Sequence, residues 1–210
     1  MKLRRQLIAL IPLVLGLAIP GTAIASTTPS LTQTINTGAL TTDIYKSDDV
    51  TPVTSPVVAF PAQPYSFKCL TSTATLGDSN DLVNVTNLAT GINTWTLAIA
   101  ATGGTSATWT SGGNTYSYNG SGCTGGQLTV DPSVATITDD CNSTCNNSTV
   151  TKGPATSFSG TTTTSATLMS DSSGTAWEGY MNGISLSQSI PALQQPGSYS
   201  LGMTITVTNT

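Results

Sequence analysis

The stretch Thr94-Trp95-Thr96-Leu97-Ala98-Ile99-Ala100-Ala101 decides the fold. Trp95, Leu97 and Ile99 are apolar at every second position, with Thr94, Thr96 and Ala98 between them. A two-residue period is the signature of a strand with one face on a core and the other nearer water. A helix would bring its apolar residues back at three and four. The closing stretch Tyr199-Ser200-Leu201-Gly202-Met203-Thr204-Ile205-Thr206-Val207 keeps the same beat and is the longest clean alternation in the chain. Both stretches are expected to be central strands of one β core.

Working outward, the same beat marks Leu31–Ile35, Leu40–Tyr45, Tyr65–Cys69, Leu82–Asn87, Gln127–Val130, Ala135–Ile137, Ala155–Phe158, Ala166–Met169 and Ile184–Ile190 as strands. Gly103-Gly104 and Gly112-Gly113 bracket a hairpin around Trp109, with Thr115–Tyr118 as its return. Pro52, Pro56, Pro61 and Pro64 punctuate an extended crossing that belongs at an edge or between sheets, because proline cannot donate to a ladder. Gly77-Asp78-Ser79-Asn80-Asp81 is a turn. The segment around Trp177, Tyr180 and Met181 is less regular. Ten to twelve short antiparallel strands at this spacing read as an all-β, immunoglobulin-like β-sandwich.

The first 25 residues stand apart. Lys2, Arg4 and Arg5 precede an apolar run from Leu7 to Ile19, then Pro20-Gly21 and the small-residue site Ala23-Ile24-Ala25. This is the pattern of a secretory signal peptide, with cleavage after Ala25. Residues 26–210 then form one β-sandwich domain, and no later run is long enough to span a membrane. Three lysines, Lys46, Lys68 and Lys152, remain against ten acidic residues, a net charge of −7. Such a chain repels nucleic acid and anionic lipid. The 40 threonines and 25 serines suit strands and turns; a disordered stalk of that composition would have no reason to keep a two-residue period.

An even number of cysteines in a chain expected outside the cell points to disulfides. Cys69–Cys123 and Cys141–Cys145 are the expected pairs among three possible pairings, since Cys141 and Cys145 would close a small polar loop. A four-thiolate zinc site is the rival reading; such sites usually come as two close pairs, and only Cys141 and Cys145 are close. Histidine is absent, which removes Ser-His-Asp and Cys-His catalysis and histidine metal sites. Asp48/Asp49, Asp78/Asp81 and Asp139/Asp140 are close carboxylates in turn-forming surroundings, where Asp satisfies turn backbone. No catalytic, cofactor-binding or metal-binding residue is expected. Trp95 reads as core, whereas Trp109 and Trp177, set among Thr, Ser and Gly, are ambiguous between packing and an exposed ring that stacks on sugar. Asn84, Asn119, Asn142, Asn146 and Asn147 open glycosylation sequons.

Two motifs carry a family resemblance. Asn93-Thr94-Trp95-Thr96-Leu97 resembles the first Trp-x-Leu signature of the WxL surface domains of Gram-positive bacteria. Ile190-Pro191, Gly197-Ser198-Tyr199 and the final strand Met203–Val207 are similar to that family's C-terminal end. Ile205-Thr206-Val207 stands where the family has its second Trp-x-Leu. The whole secreted chain also resembles small uncharacterised secreted proteins of candidate-phyla bacteria. The resemblance implies a WxL-like β-rich fold and noncovalent attachment to the cell wall. With no sortase-type ending and no lipidation cysteine near Ala25, the protein is expected to be attached noncovalently or released.

The expected function is therefore that of a non-catalytic secreted protein at the cell surface, binding a cell-wall polymer or another surface protein. The alternative is a self-associating structural subunit of a surface fibre or coat, built through exposed strand edges.

Overall fold

The computed structural model describes residues 33, 35, 38–89, 94–141, 145, 147–160 and 162–210. The chain divides into two units, Met1–Ile35 and Asn36–Thr210, and every strand among the described residues lies in the second. The expected signal peptide and most of the expected strand Leu31–Ile35 fall outside the described residues.

Fourteen strands are described, all paired antiparallel. In chain order they are β1 (Leu40–Tyr45), β2 (Leu70–Leu76), β3 (Leu82–Asn87), β4 (Trp95–Ala101), β5 (Thr108–Ser111), β6 (Asn114–Ser117) and β7 (Gln127–Asp131). There follow β8 (Thr136–Asp139), β9 (Val150–Lys152), β10 (Thr156–Ser157), β11 (Ser165–Asp171), β12 (Trp177–Asn182), β13 (Ile184–Ile190) and β14 (Met203–Asn209). One helical turn, Gly122–Gly125, interrupts the loop that carries Cys123. The all-β antiparallel architecture is as the alternation implies, with more strands than the ten to twelve expected.

Three four-stranded sheets hold the structure, in the orders β1-β3-β12-β8, β10-β7-β13-β2 and β14-β4-β11-β9; β5 and β6 form a separate hairpin. The first two sheets are halves of one bent ladder. The same three chain segments cross both: β2 continues into β3, β7 into β8, and β12 into β13. They pass from one half to the other at a common level, where the Gly183 N–H donates to the Gly77 carbonyl. Gly77 (φ 75°) and Gly183 (φ 84°) hold the left-handed backbone this level requires. Here the apolar beat slips by one residue. Inward-facing positions are even-numbered in one half (Leu76, Leu128, Val130, Ile184, Leu186) and odd-numbered in the other (Val83, Val85, Ile137, Met181).

The third sheet packs on this ladder around one core. On β4, Trp95, Leu97, Ile99 and Ala101 are buried and the residues between them are not, as the opening stretch dictates. The Trp95 ring meets Trp177 at 5.5 Å between centroids, and both rings are 1% exposed. Burying a ring of about 150–250 Å² at about 25 cal/mol/Å² contributes roughly 4–6 kcal/mol before side-chain entropy is counted. In β11 the register skips at Leu168, so Leu168 and Met169 both reach the core at 0% exposure.

Three expectations are corrected. The closing strand β14 is a sheet edge, paired only to β4, and not a central strand. It lies beside β1 without pairing to it, and Met203, Ile205 and Val207 are only half-buried. Tyr65–Cys69 is not a strand. Pro64 precedes it, the Ser66 Oγ accepts the Lys68 N–H at 2.9 Å, and Tyr65 and Phe67 face solvent. Conversely, the irregular segment around Trp177 is the regular strand β12, in which Trp177, Gly179 and Met181 are buried. Gly179 holds the middle inward position because a Cβ there would strike the Thr138 carbonyl and the Trp177 ring.

The four cysteines form Cys69–Cys123 and Cys141–Cys145, each with Cα atoms 5.4 Å apart. Two disulfides fit an oxidising, extracellular-type environment. Among the described residues no helix is long and apolar enough to cross a membrane.

Candidate functional site

The site begins at the hairpin. Gly112, with φ 58°, supplies the left-handed residue that a two-residue turn needs, and Gly113 completes it. The turn sets Trp109 directly opposite Tyr116, and their rings stack with centroids 6.0 Å apart and planes 12° apart. Such a cross-strand aromatic pair stabilises a hairpin by up to about 1 kcal/mol.

Two segments close on this pair. One is the proline-punctuated strap from Ser55 to Pro64. Among the described residues it makes no backbone–backbone hydrogen bond, and it is held by the Ser72 hydroxyl donating to the Pro61 carbonyl at 3.1 Å. The Phe60 ring stands edge-on to Trp109, 5.6 Å away and at 89°. The other segment is the loop between β13 and β14. Its Ser200 exchanges two backbone hydrogen bonds with Thr110 of the hairpin, both 3.0 Å. The Tyr199 hydroxyl donates to the Gln195 carbonyl and accepts from the Gln194 amide, each at 2.7 Å. This fixes the Tyr199 ring 5.1 Å from Tyr116, inclined at 65°.

The result is a row of four rings, Phe60, Trp109, Tyr116 and Tyr199, along a groove of about 480 Å³. Gln63, Gln188, Gln194 and Gln195 contribute to the lining, and among the described residues no charged side chain does. Gln188 is 1% exposed; its Oε1 accepts the Trp109 Nε1–H at 2.8 Å and its Nε2 donates to the Ser189 carbonyl. Burial, and secondarily the neighbouring Tyr199, push the Tyr116 phenol up to about 12, so it stays neutral at ordinary pH. Flat rings beside uncharged amides can stack on apolar faces and hydrogen-bond to hydroxyls, the chemistry of sugar recognition.

The structure separates the two ambiguous tryptophans. Trp177 is core, with its Nε1–H donating to the Asn147 Oδ1 at 3.3 Å. Trp109 is half-buried on the groove. Sequence reasoning missed Tyr116, Tyr199 and Phe60. A signal was present for Tyr116: it mirrors Trp109 about Gly112-Gly113.

Two of the close carboxylates, Asp48 and Asp78, serve turns as expected, whereas Asp139 ends strand β8. Asp48 accepts the Thr51 hydroxyl and the N–H groups of Val50 and Thr51, and these bonds hold its carboxyl below the usual value. Asp78 accepts the Asn80 and Asp81 N–H groups. What adjacency in sequence did not show is that Asp49 meets Asp140 and Glu178. Desolvation, then the Asp140 charge, push the Asp49 carboxyl up to about 6, against the lowering effect of the Asn84 amide. Among the described residues no group of three or more acidic or cysteine side chains is arranged to hold a metal ion. Of the sequon asparagines, Asn84 and Asn119 are buried at 3% and 9% exposure. Asn142 and Asn146 lie outside the described residues.

Comparison with family models, with curated proteins and with solved structures finds no match to this chain.

Proposed function

We propose that this is a non-catalytic secreted protein of the bacterial surface that binds an uncharged stretch of a cell-wall polymer in the four-ring groove. The observation that carries the reading is the lining itself: aromatic rings and glutamine amides with no charge. In a chain of strongly acidic balance, a charge-free groove selects against anionic polymers and favours neutral glycan. The expected signal peptide and the two disulfides agree with a place outside the cell.

Retention on purified cell walls and on a soluble neutral glycan tests the reading. Trp109→Ala and Tyr199→Ala are expected to lower retention about tenfold or more, because each removes a stacking ring. Undiminished retention by both variants would overturn it. A second reading, self-assembly into a fibre or coat, is favoured by the β14 edge. That edge is seven residues long and carries no charge, no proline and no bulge, although β1 lies beside part of it. Growth of the species with concentration in size-exclusion chromatography supports it; a monomer at every concentration removes it.

A further inference from the structure

The core is complete at one end and open at the other. Around Trp95 and Trp177 the packed side chains Val83, Val85, Leu97 and Met181 are all 0% exposed. At the far end Leu76, Ile99, Leu128 and Leu186 retain 3–6% exposure. They form the floor of a cleft of about 560 Å³, which enters the core where the unpaired edges of β1 and β14 lie side by side. Met203 and Ile205 of β14 form one wall and Ile44 of β1 the other; Val58 and Phe60 of the proline strap roof it. This cleft is distinct from the four-ring groove on the other side of the strap, although Phe60 and Trp109 border both.

The chemistry of the cleft changes with depth. Its floor is aliphatic, and Thr42, Asp43, Asp81, Ser200 and Thr204 are residues of its lining, with Asp43 and Thr204 exposed at the rim. Asp43 and Asp81 are the charged groups there among the described residues, and no described cation accompanies them. We infer that the cleft binds a single aliphatic chain carrying a cationic head group, the chain against Leu76, Ile99, Leu128 and Leu186 and the head beside Asp43 and Asp81. An apolar cavity with a few polar groups, in the range of about 300–1,000 Å³, is the usual form of a small-molecule site. A peptide strand could pair with the free edges of β1 and β14 at the mouth, but it would carry N–H and C=O groups against an aliphatic floor that cannot pair with them, whereas a hydrocarbon brings none. An anionic head would sit beside two carboxylates, and a cationic head is attracted by both.

The test is a fluorescence titration of the purified protein with (11-bromoundecyl)trimethylammonium and with 11-bromoundecanoate, both below their micelle concentrations. Bromine quenches tryptophan on contact, and Trp109 borders the cleft. Saturable quenching by the ammonium probe is expected, with the carboxylate binding about tenfold more weakly, since each exposed charge interaction is worth a few-fold in affinity. The double variant Asp43→Asn/Asp81→Asn should erase that preference while leaving the chain bound. Val58→Asn, a change in the strap outside every sheet, should weaken both probes several-fold, and thermal unfolding reads separately the stability lost from its half-buried place against the core. Quenching that rises without saturation, or equal affinity for the two heads in the unaltered protein, overturns the inference. So does a concentration-dependent dimer that neither probe dissociates, because a second copy would then fill the cleft.

Discussion

The hydrogen bond between Gln188 and Trp109 ties the groove to the core, and its removal can be followed quantitatively. Gln188→Leu deletes the acceptor of the Trp109 Nε1–H, which is 2.8 Å away. Trp109 is half-buried, so water can replace part of what is lost, and the cost is about 1 kcal/mol. Trp109→Phe does the opposite. It leaves the Gln188 Oε1 without its donor in a side chain only 1% exposed, at a cost of about 1–3 kcal/mol plus the lost ring volume. The double variant removes both partners, so the penalty of an orphaned polar group falls away. A coupling of about 1–2 kcal/mol is expected from the four-protein cycle, measured by urea or thermal unfolding. For a chain of this length about 1 kcal/mol moves the midpoint by roughly 2–4 °C. The double variant should therefore melt several degrees above the sum of the single effects. Strict additivity, with coupling under about 0.3 kcal/mol, would refute the account of Gln188 as the anchor of the groove.

Three further outcomes follow from the packing and the charges. The folded state holds the Asp49 proton at about 6, against 3.8 for the free carboxyl. It therefore binds that proton more tightly than the unfolded chain, and stability rises as pH falls from 7 through 6 towards 4.5. Solvent screening at this half-buried group limits the gain to about 1 kcal/mol, and Asp49→Asn should flatten that part of the pH–stability profile. Gly179→Ala forces a Cβ against the Thr138 carbonyl and the Trp177 ring; a loss of about 1–3 kcal/mol in denaturant unfolding is expected, against no loss if the strands part freely. Opening the 54-residue Cys69–Cys123 loop with Cys69→Ser/Cys123→Ser should cost about 4 kcal/mol, and opening the four-residue Cys141–Cys145 loop about 2 kcal/mol, in the same assay.

The alternation shows which residues share a face, and this is why β4, the hairpin and β13 were legible before any coordinates. It does not show which strands are neighbours. β14 has the cleanest beat in the chain and still sits at an edge, because its outward partner depends on where β1 comes to lie, more than a hundred residues away in sequence. β12 was obscured for a local reason: its middle inward residue is Gly179, which looks polar or neutral to any hydrophobic pattern yet is the only residue that fits. The groove was half legible. Trp109 stands out by type, but Phe60 lies in a proline run, and Tyr199 continues the apolar beat of the final strand although it belongs to the loop before β14. The acidic meeting of Asp49, Asp140 and Glu178 is set by pairing across β1, β3, β12 and β8, and no adjacency in the chain announces it.

The shared level of Gly77 and Gly183 has a consequence for how this chain can change length. Between Met181 and Ile184 the chain advances three residues, while its neighbours advance seven from Leu76 to Val83 and five from Asp131 to Thr136. Because successive side chains of a strand point to opposite sides, losing or gaining one residue at Gly183, where β12 runs on into β13, turns the following strand inside out, whereas the turns that make the other two joints can loop an extra residue out. Losing or gaining two at Gly183 does not. Viable descendants of this protein should therefore vary there in even steps, so that an odd-length indel at Gly183 marks a lineage in which the two halves have come to be built differently.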